Sequence, residues 1–216
     1  MKNVLVIFTL FFTVTCWSAD YYKAKIILKD GKTLEGYATL PMNTVLNNTV
    51  KYKTSKKSKK KKIKNKEIST AYYYIDGKEY LFERSRMTLS FKSTENNHKS
   101  SYQMIGGEYW AFAVTRNPVL NTYYVANRYF MSEEGEMHAK ITQSLTILDA
   151  IYVLFKRPNE EYPFIITTYF HGGNGQFRKQ SAKYFADDPA LVARIKNKEF
   201  KSFDFDKLAE IYIQNQ

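Results

Sequence analysis

The chain has 216 residues, 44% of them hydrophobic, and a formal net charge of +12 at pH 7. A chain of this length can bury about 70% of its unfolded surface, so one or two cores can form without covalent crosslinks. Its single cysteine excludes an internal disulfide framework and a multi-thiolate metal site.

The first 18 residues have the three-part layout of a secretory signal peptide. Lys2 supplies a positive start, residues 4–14 form an uncharged apolar run, and small residues follow at Cys16 and Ser18. The apolar run is shorter than the roughly 20 residues that a membrane-crossing helix needs. We therefore expect an exported bacterial protein, periplasmic, extracellular or associated with the outer membrane, with no transmembrane segment after cleavage.

The processing site has two interpretations. Cleavage after Ser18 places small residues at both positions that the peptidase contacts, and it removes the only cysteine. Alternatively, Cys16 could be lipidated and become the new N-terminus. The preceding Thr13-Val14-Thr15 matches the usual leucine-containing lipoprotein pattern poorly, so we favour the first interpretation.

Residues 19–170 are predicted to form a β-rich body. Apolar and polar residues alternate over residues 22–40 around Asp30-Gly31, which predicts a hairpin with a type I′ turn, and Asp76-Gly77 repeats the pattern. The clearest alternation runs over residues 137–147 and predicts one continuous strand there.

Ten lysines lie within residues 51–66. One interpretation is a solvated hairpin tip, and another is a contact with an anionic membrane or envelope surface. The pattern does not favour nucleic acid as a partner, because the run lacks arginine and carries only one aromatic ring, Tyr52. The candidate contact residues are Lys56, Lys57, Lys59, Lys60, Lys61 and Lys62.

Residues 171–216 change to a helical period. Phe177, Ser181 and Tyr184 form a helical stripe, and Asp188-Pro189 is typical of a helix start. A last helix is expected to begin near Ser202 or Asp204. Short helices of this kind must pack on the body. The predicted fold class is α+β: mostly antiparallel β, a sandwich or barrel-like body of hairpins, with short C-terminal helices.

Three stretches resemble a group of uncharacterised exported proteins that is common in Bacteroidota. They are residues 26–37 (IILKDGKTLEGY), residues 68–84, and residues 184–213 (YFADDPALVARIKNKEFKSFDFDKLAEIYI). The resemblance implies a strand–turn–strand opening after the signal peptide and a helical C-terminus. It implies no activity and no functional residue.

Residues with catalytic potential are scattered. His98, His138 and His171 do not occur at a metal-ligand spacing, and the glycine-rich segment after His171 matches no phosphate-binding motif. Acidic residues cluster in predicted turns, where carboxylates usually face water. We therefore predict no catalytic residues, no metal and no cofactor.

The expected role is noncatalytic, in binding or in structure, at the periplasm or the cell surface. Two alternatives remain open at the level of sequence. One is an exported hydrolase with an unrecognised site near His171. The other is a cationic protein that binds anionic membrane surfaces through the lysine-rich hairpin.

Overall fold

The computed structural model describes residues 20–45, 48–92, 101–142, 148–169 and 173–216. The predicted signal peptide, including Cys16, lies outside these residues, and so do His98 and His171.

The described chain contains twelve β-strands, and ten of them belong to one sheet. The order within that sheet is β12-β11-β8-β7-β6-β5-β1-β2-β3-β4, and the remaining two strands form a separate antiparallel hairpin. The strands are β1 (Tyr22–Leu28), β2 (Thr33–Ala38), β3 (Thr49–Lys53), β4 (Lys61–Lys64), β5 (Ile68–Ile75), β6 (Lys78–Lys92), β7 (Ser101–Thr115), β8 (Asn121–Val125), β9 (Arg128–Met131), β10 (Met137–Lys140), β11 (Ile151–Lys156) and β12 (Phe164–Tyr169).

Three short helices follow the strands: α1 (Asn174–Tyr184), α2 (Pro189–Lys196) and α3 (Phe205–Gln214). Their apolar residues, among them Phe177, Leu191 and Leu208, pack with Phe155 and Phe164 of β11 and β12 in one buried cluster. This arrangement confirms the predicted α+β class. None of the described helices has the length and apolar character required to cross a bilayer.

The two Asp-Gly hairpins form where they were predicted, but with different turns. Asp76 and Gly77 both have positive φ, at 50° and 77°, as a type I′ turn requires. In the first hairpin Gly31 has a φ of 86°, whereas Asp30 does not have a positive φ. Instead, the Asp30 carboxylate accepts a hydrogen bond from the Lys32 amide at 3.0 Å, and this contact stabilises a longer loop closed by the left-handed glycine.

The sheet closes on itself through one parallel bridge between Phe164 of β12 and Thr88 of β6. The Thr88 amide and hydroxyl both donate to the Pro163 carbonyl, at 3.0 and 3.2 Å. The fifteen-residue β6 pairs with β5, with β7 and, at Thr88, with β12. Its register against β7 shifts twice, between Ser85 and Met87 and between Thr88 and Ser90, and such shifts bend a strand. Strands β6, β7, β8, β11 and β12 thus form a ring around a core that includes Met87.

The continuous strand predicted over residues 137–147 is shorter in the structure. β10 ends at Lys140 because its partner β9 begins at Arg128, and these two residues are the last pair of the ladder. Residues 143–147 lie outside the described residues. Alternation continues through residues 141 and 142, but the strand does not, since the partner sets where β10 ends.

Candidate functional site

The lysine-rich run forms a hairpin at the end of the sheet order. β3 and β4 pair antiparallel from Thr49 with Lys64 to Tyr52 with Lys61, and residues 54–60 form the tip. We call these three parts the lysine hairpin. Its tip is ordered locally, because the Ser58 hydroxyl donates to the Ser55 carbonyl at 3.0 Å and accepts from the Ser55 amide at 3.1 Å.

The base of the lysine hairpin is anchored in the core. Val50, Tyr52 and Ile63 are buried with residues of β1, β2 and β5. The Tyr52 hydroxyl donates to the Glu35 carbonyl at 2.6 Å. The hairpin therefore holds its tip in a defined position on the body.

All six candidate contact lysines are exposed. Within the described part of the chain, none of them lies within 4.0 Å of a carboxylate. Lys56 lies over the Tyr37 ring, with its Nζ 5.6 Å from the ring centroid, and Lys53 lies 4.3 Å from that of Tyr21. The tip thus concentrates positive charge that no described acidic side chain neutralises.

A cavity of about 390 Å³ opens beside the base of the lysine hairpin. Its walls come from the segment after β2, from the end of β4 and the short turn that follows it, and from β6 and β7. We call it the Arg84 pocket, and it is lined by Met42, Asn43, Thr44, Asn48, Lys64, Asn65, Lys66, Arg84, Glu108 and Tyr109.

Arg84 is the most deeply placed charge of this pocket. Its side chain is only 10% exposed, and its guanidinium lies 5.4 Å from the centre of the buried Trp110 ring. The Arg84 Nε has no hydrogen-bond partner among the described residues. Burial lowers the pKa of Arg84, and the negative charge of Glu108 opposes this effect.

Glu108 is shared between two cations. Its carboxylate accepts two short contacts from the Lys29 ammonium, at 2.7 and 2.8 Å. The distance from its Oε2 to the Arg84 guanidinium is 4.0 Å, which is too long for a hydrogen bond. The short contacts of Glu108 are therefore made to Lys29, and its contact to Arg84 is long.

Asn43 holds the wall of the pocket in place. Its side-chain amide donates to the carbonyls of Trp110 and Ala126, each at 2.9 Å, and its Oδ1 accepts from the Trp110 amide at 2.8 Å. Because all three contacts are to backbone groups, Asn43 acts as a structural bridge between this segment and β7.

The other residues considered for chemistry are dispersed or have structural contacts. His138 is exposed, stacks on Phe130 at 5.6 Å and lies 4.0 Å from Glu136. Asp188 caps α2 by accepting from the Leu191 amide at 2.9 Å. No group of three or more metal-ligating side chains occurs among the residues that the structure describes. The proposed hydrolase site near His171 lies outside them.

The sequence did not point to the Arg84 pocket, although one indication was available. Phe82 and Arg84 lie on the same face of β6, and Phe82 is fully buried. A charged residue such as Arg84, on the same strand face as a buried residue, needs polar groups around its side chain. The composition of that environment could not be foreseen, because it comes from elements distant in the sequence.

Comparison of the chain with protein-family models, with curated proteins and with solved structures finds no match.

Proposed function

We propose that this is an exported, noncatalytic binding protein that attaches to anionic lipid surfaces through its lysine hairpin. The observation that carries the proposal is the tip, where Lys56, Lys57, Lys59 and Lys60 are exposed and lie beyond 4.0 Å of every described carboxylate. Export rests on the sequence pattern of residues 1–18.

Protection of the sheet edge explains only part of the lysine run. β4 is the last strand in the sheet order, and charged side chains on such strands prevent pairing with other chains. Lys61, Lys62 and Lys64 belong to β4 and serve this purpose. The four tip lysines lie outside the β3–β4 ladder, so a different reason for their accumulation is needed.

The chemistry of the tip suits a lipid surface. Each lysine near an anionic bilayer contributes about 1 kcal/mol of attraction, which decays within a Debye length of about 8 Å at physiological salt. Lysine is a compact point charge that does not require the planar geometry used by arginine. Fluid headgroups impose no such geometry, and the tip contains lysine without arginine.

Vesicle co-sedimentation tests this proposal on the chain from Ala19 onward, which contains all described strands and helices. We expect binding to mixed phosphatidylcholine–phosphatidylglycerol vesicles, loss of binding in high salt, and none to pure phosphatidylcholine. The quadruple variant K56Q/K57Q/K59Q/K60Q should lose most of this binding. The matched control K179Q/K196Q/K201Q/K207Q removes the same charge from exposed sites in and near the helices and should retain it.

Two results would overturn the proposal. Equal loss of binding in both quadruple variants would show that net charge alone matters. Unchanged binding of the tip variant would show that the lysine hairpin is not the contact.

The export component has its own measurement, the intact mass of the protein recovered from an expressing bacterium. We expect a chain that begins at Ala19. A diacylglyceryl adduct on Cys16 would replace this with the lipid-anchored form, and an unprocessed chain in the cytoplasm would contradict export.

A further inference from the structure

We infer that the Arg84 pocket is a binding site for a small ligand that carries a carboxylate or phosphate group, separate from the lysine hairpin tip. Three cationic side chains line the pocket, those of Lys64, Lys66 and Arg84, against one carboxylate, that of Glu108. The volume of about 390 Å³ lies within the range of roughly 300–1,000 Å³ that is typical of small-molecule sites.

The buried guanidinium is the main argument. A charge that is nine-tenths buried is costly unless it is paired and hydrogen-bonded. Arg84 has a long contact to Glu108, a ring face on one side, and an Nε without a hydrogen-bond partner in the described chain. An oxyanion in the pocket would supply the missing acceptor, since the arginine fork matches carboxylate and phosphate oxygens.

The remaining lining fits the same class of ligand. Lys64 and Lys66 are exposed at the mouth and can attract an anion from solvent. Lys29 holds the Glu108 carboxylate through both oxygens, so Glu108 is restrained from pairing directly with Arg84. Asn48 and Tyr109 add polar lining that suits the uncharged part of a small ligand.

Trp110 provides the readout. The chain has two tryptophans, and Trp17 is absent from the chain that begins at Ala19, so Trp110 alone reports through fluorescence. We expect inorganic phosphate and succinate each to change this fluorescence saturably, and the Arg84 Nε–H signal in a ¹H–¹⁵N spectrum to shift in parallel. Succinamide resembles succinate but is uncharged, and it should cause neither change. The relative affinities for phosphate and succinate show whether the pocket prefers a phosphate or a carboxylate group.

Two variants locate the site. R84M keeps the length of the side chain, and we expect it to weaken anion binding about tenfold or more. K64Q/K66Q leaves the buried part of the pocket intact and should weaken binding by a smaller factor. K196Q/K207Q, which removes two charges from the helices, should bind as the parent chain does.

The inference fails if succinamide produces the same change as succinate, or if neither anion binds the parent chain. It also fails if K64Q/K66Q and K196Q/K207Q lose equal affinity, because equal losses would indicate a nonspecific charge effect. This comparison can be made whether or not R84M folds. The K56Q/K57Q/K59Q/K60Q variant should bind these anions normally, so this inference and the vesicle proposal can fail independently.

Discussion

The Arg157 Nε donates a hydrogen bond to the Tyr212 hydroxyl at 2.9 Å and so connects the end of β11 to α3. The same guanidinium contacts the Tyr184 carbonyl at 2.9 Å, Glu160 at 3.2 Å and Asp187 at 2.7 Å. Arg157 therefore links the end of β11 to the last residue of α1, to the segment between α1 and α2, and to α3. Its side chain is only 18% exposed and that of Glu160 only 13%, whereas the Asp187 side chain is 51% exposed.

Replacing Arg157 should weaken the attachment of the helices to the sheet. We expect R157M to lower the free energy of unfolding by about 2–4 kcal/mol, because the Tyr184 carbonyl, the Tyr212 hydroxyl and Glu160 lose a donor in a partly buried site. Urea unfolding followed by circular dichroism measures this effect. The control R116M removes an exposed ion pair with Glu79 and should cost no more than about 1 kcal/mol. Equal effects of the two variants would contradict a specific role for Arg157.

Asn43 should be necessary for the stability of the pocket wall. N43A leaves the Ala126 carbonyl and the Trp110 amide without the Asn43 side chain, whereas the Trp110 carbonyl keeps a hydrogen bond from the Tyr129 hydroxyl at 2.6 Å. We expect a cost of about 2–4 kcal/mol in unfolding free energy. N48A alters an exposed asparagine of the same pocket and should change stability by less than about 0.5 kcal/mol. If both variants unfold at the same urea concentration, the bridge to β7 is not important for stability.

Asp188 should make stability depend on pH in acid. The hydrogen bond from the Asn215 side chain, followed by those from backbone amides, lowers the Asp188 pKa below its ordinary value of 3.8. The charged carboxylate therefore stabilises the fold above that value, and this contribution is lost as the pH falls through the lower, folded pKa. We expect D188A to cost about 1–2 kcal/mol near neutral pH. The difference from the parent chain should shrink in acid, and a constant difference across the acid range would exclude this role.

Gly36 should be required for the close approach of β2 and β3. A Cβ at this position would overlap the Lys53 carbonyl oxygen and come within 2.9 Å of the Tyr52 ring. We expect G36A to cost about 1–3 kcal/mol and to loosen the lysine hairpin, as seen by faster amide exchange in β3. At Gly106 an added Cβ meets no atom within 4 Å, and its φ is not positive, so G106A should be nearly neutral. Equal losses in thermal stability would contradict the steric argument.

Two local features were predicted well from the sequence. The Asp76-Gly77 turn and the Asp188 cap depend on backbone angles and on contacts three residues apart, so a short stretch of sequence is sufficient to specify them. The end of β10 depends on its partner strand, so the continuous strand predicted over residues 137–147 is interrupted after Lys140.

The candidate site was harder to foresee than the fold. The exposure of the tip lysines followed from their charge. The Arg84 pocket did not, because Lys29 and Glu108 meet across 79 positions of sequence. Long-range pairing of this kind depends on the order of strands in the sheet, and alternation of apolar residues does not encode that order.

The bridge that closes the ring has a consequence for how the chain folds. Thr88 and the carbonyl of Pro163 are separated by 75 positions, so the ring cannot close until β12 is available. Until then the outer part of β6 lacks this neighbour, and the core around Met87 is incomplete. Chains dominated by such distant pairings fold on the order of milliseconds to seconds. During an interval of this length the sheet of a newly made chain is incomplete, and the chain is accessible to chaperones and proteases.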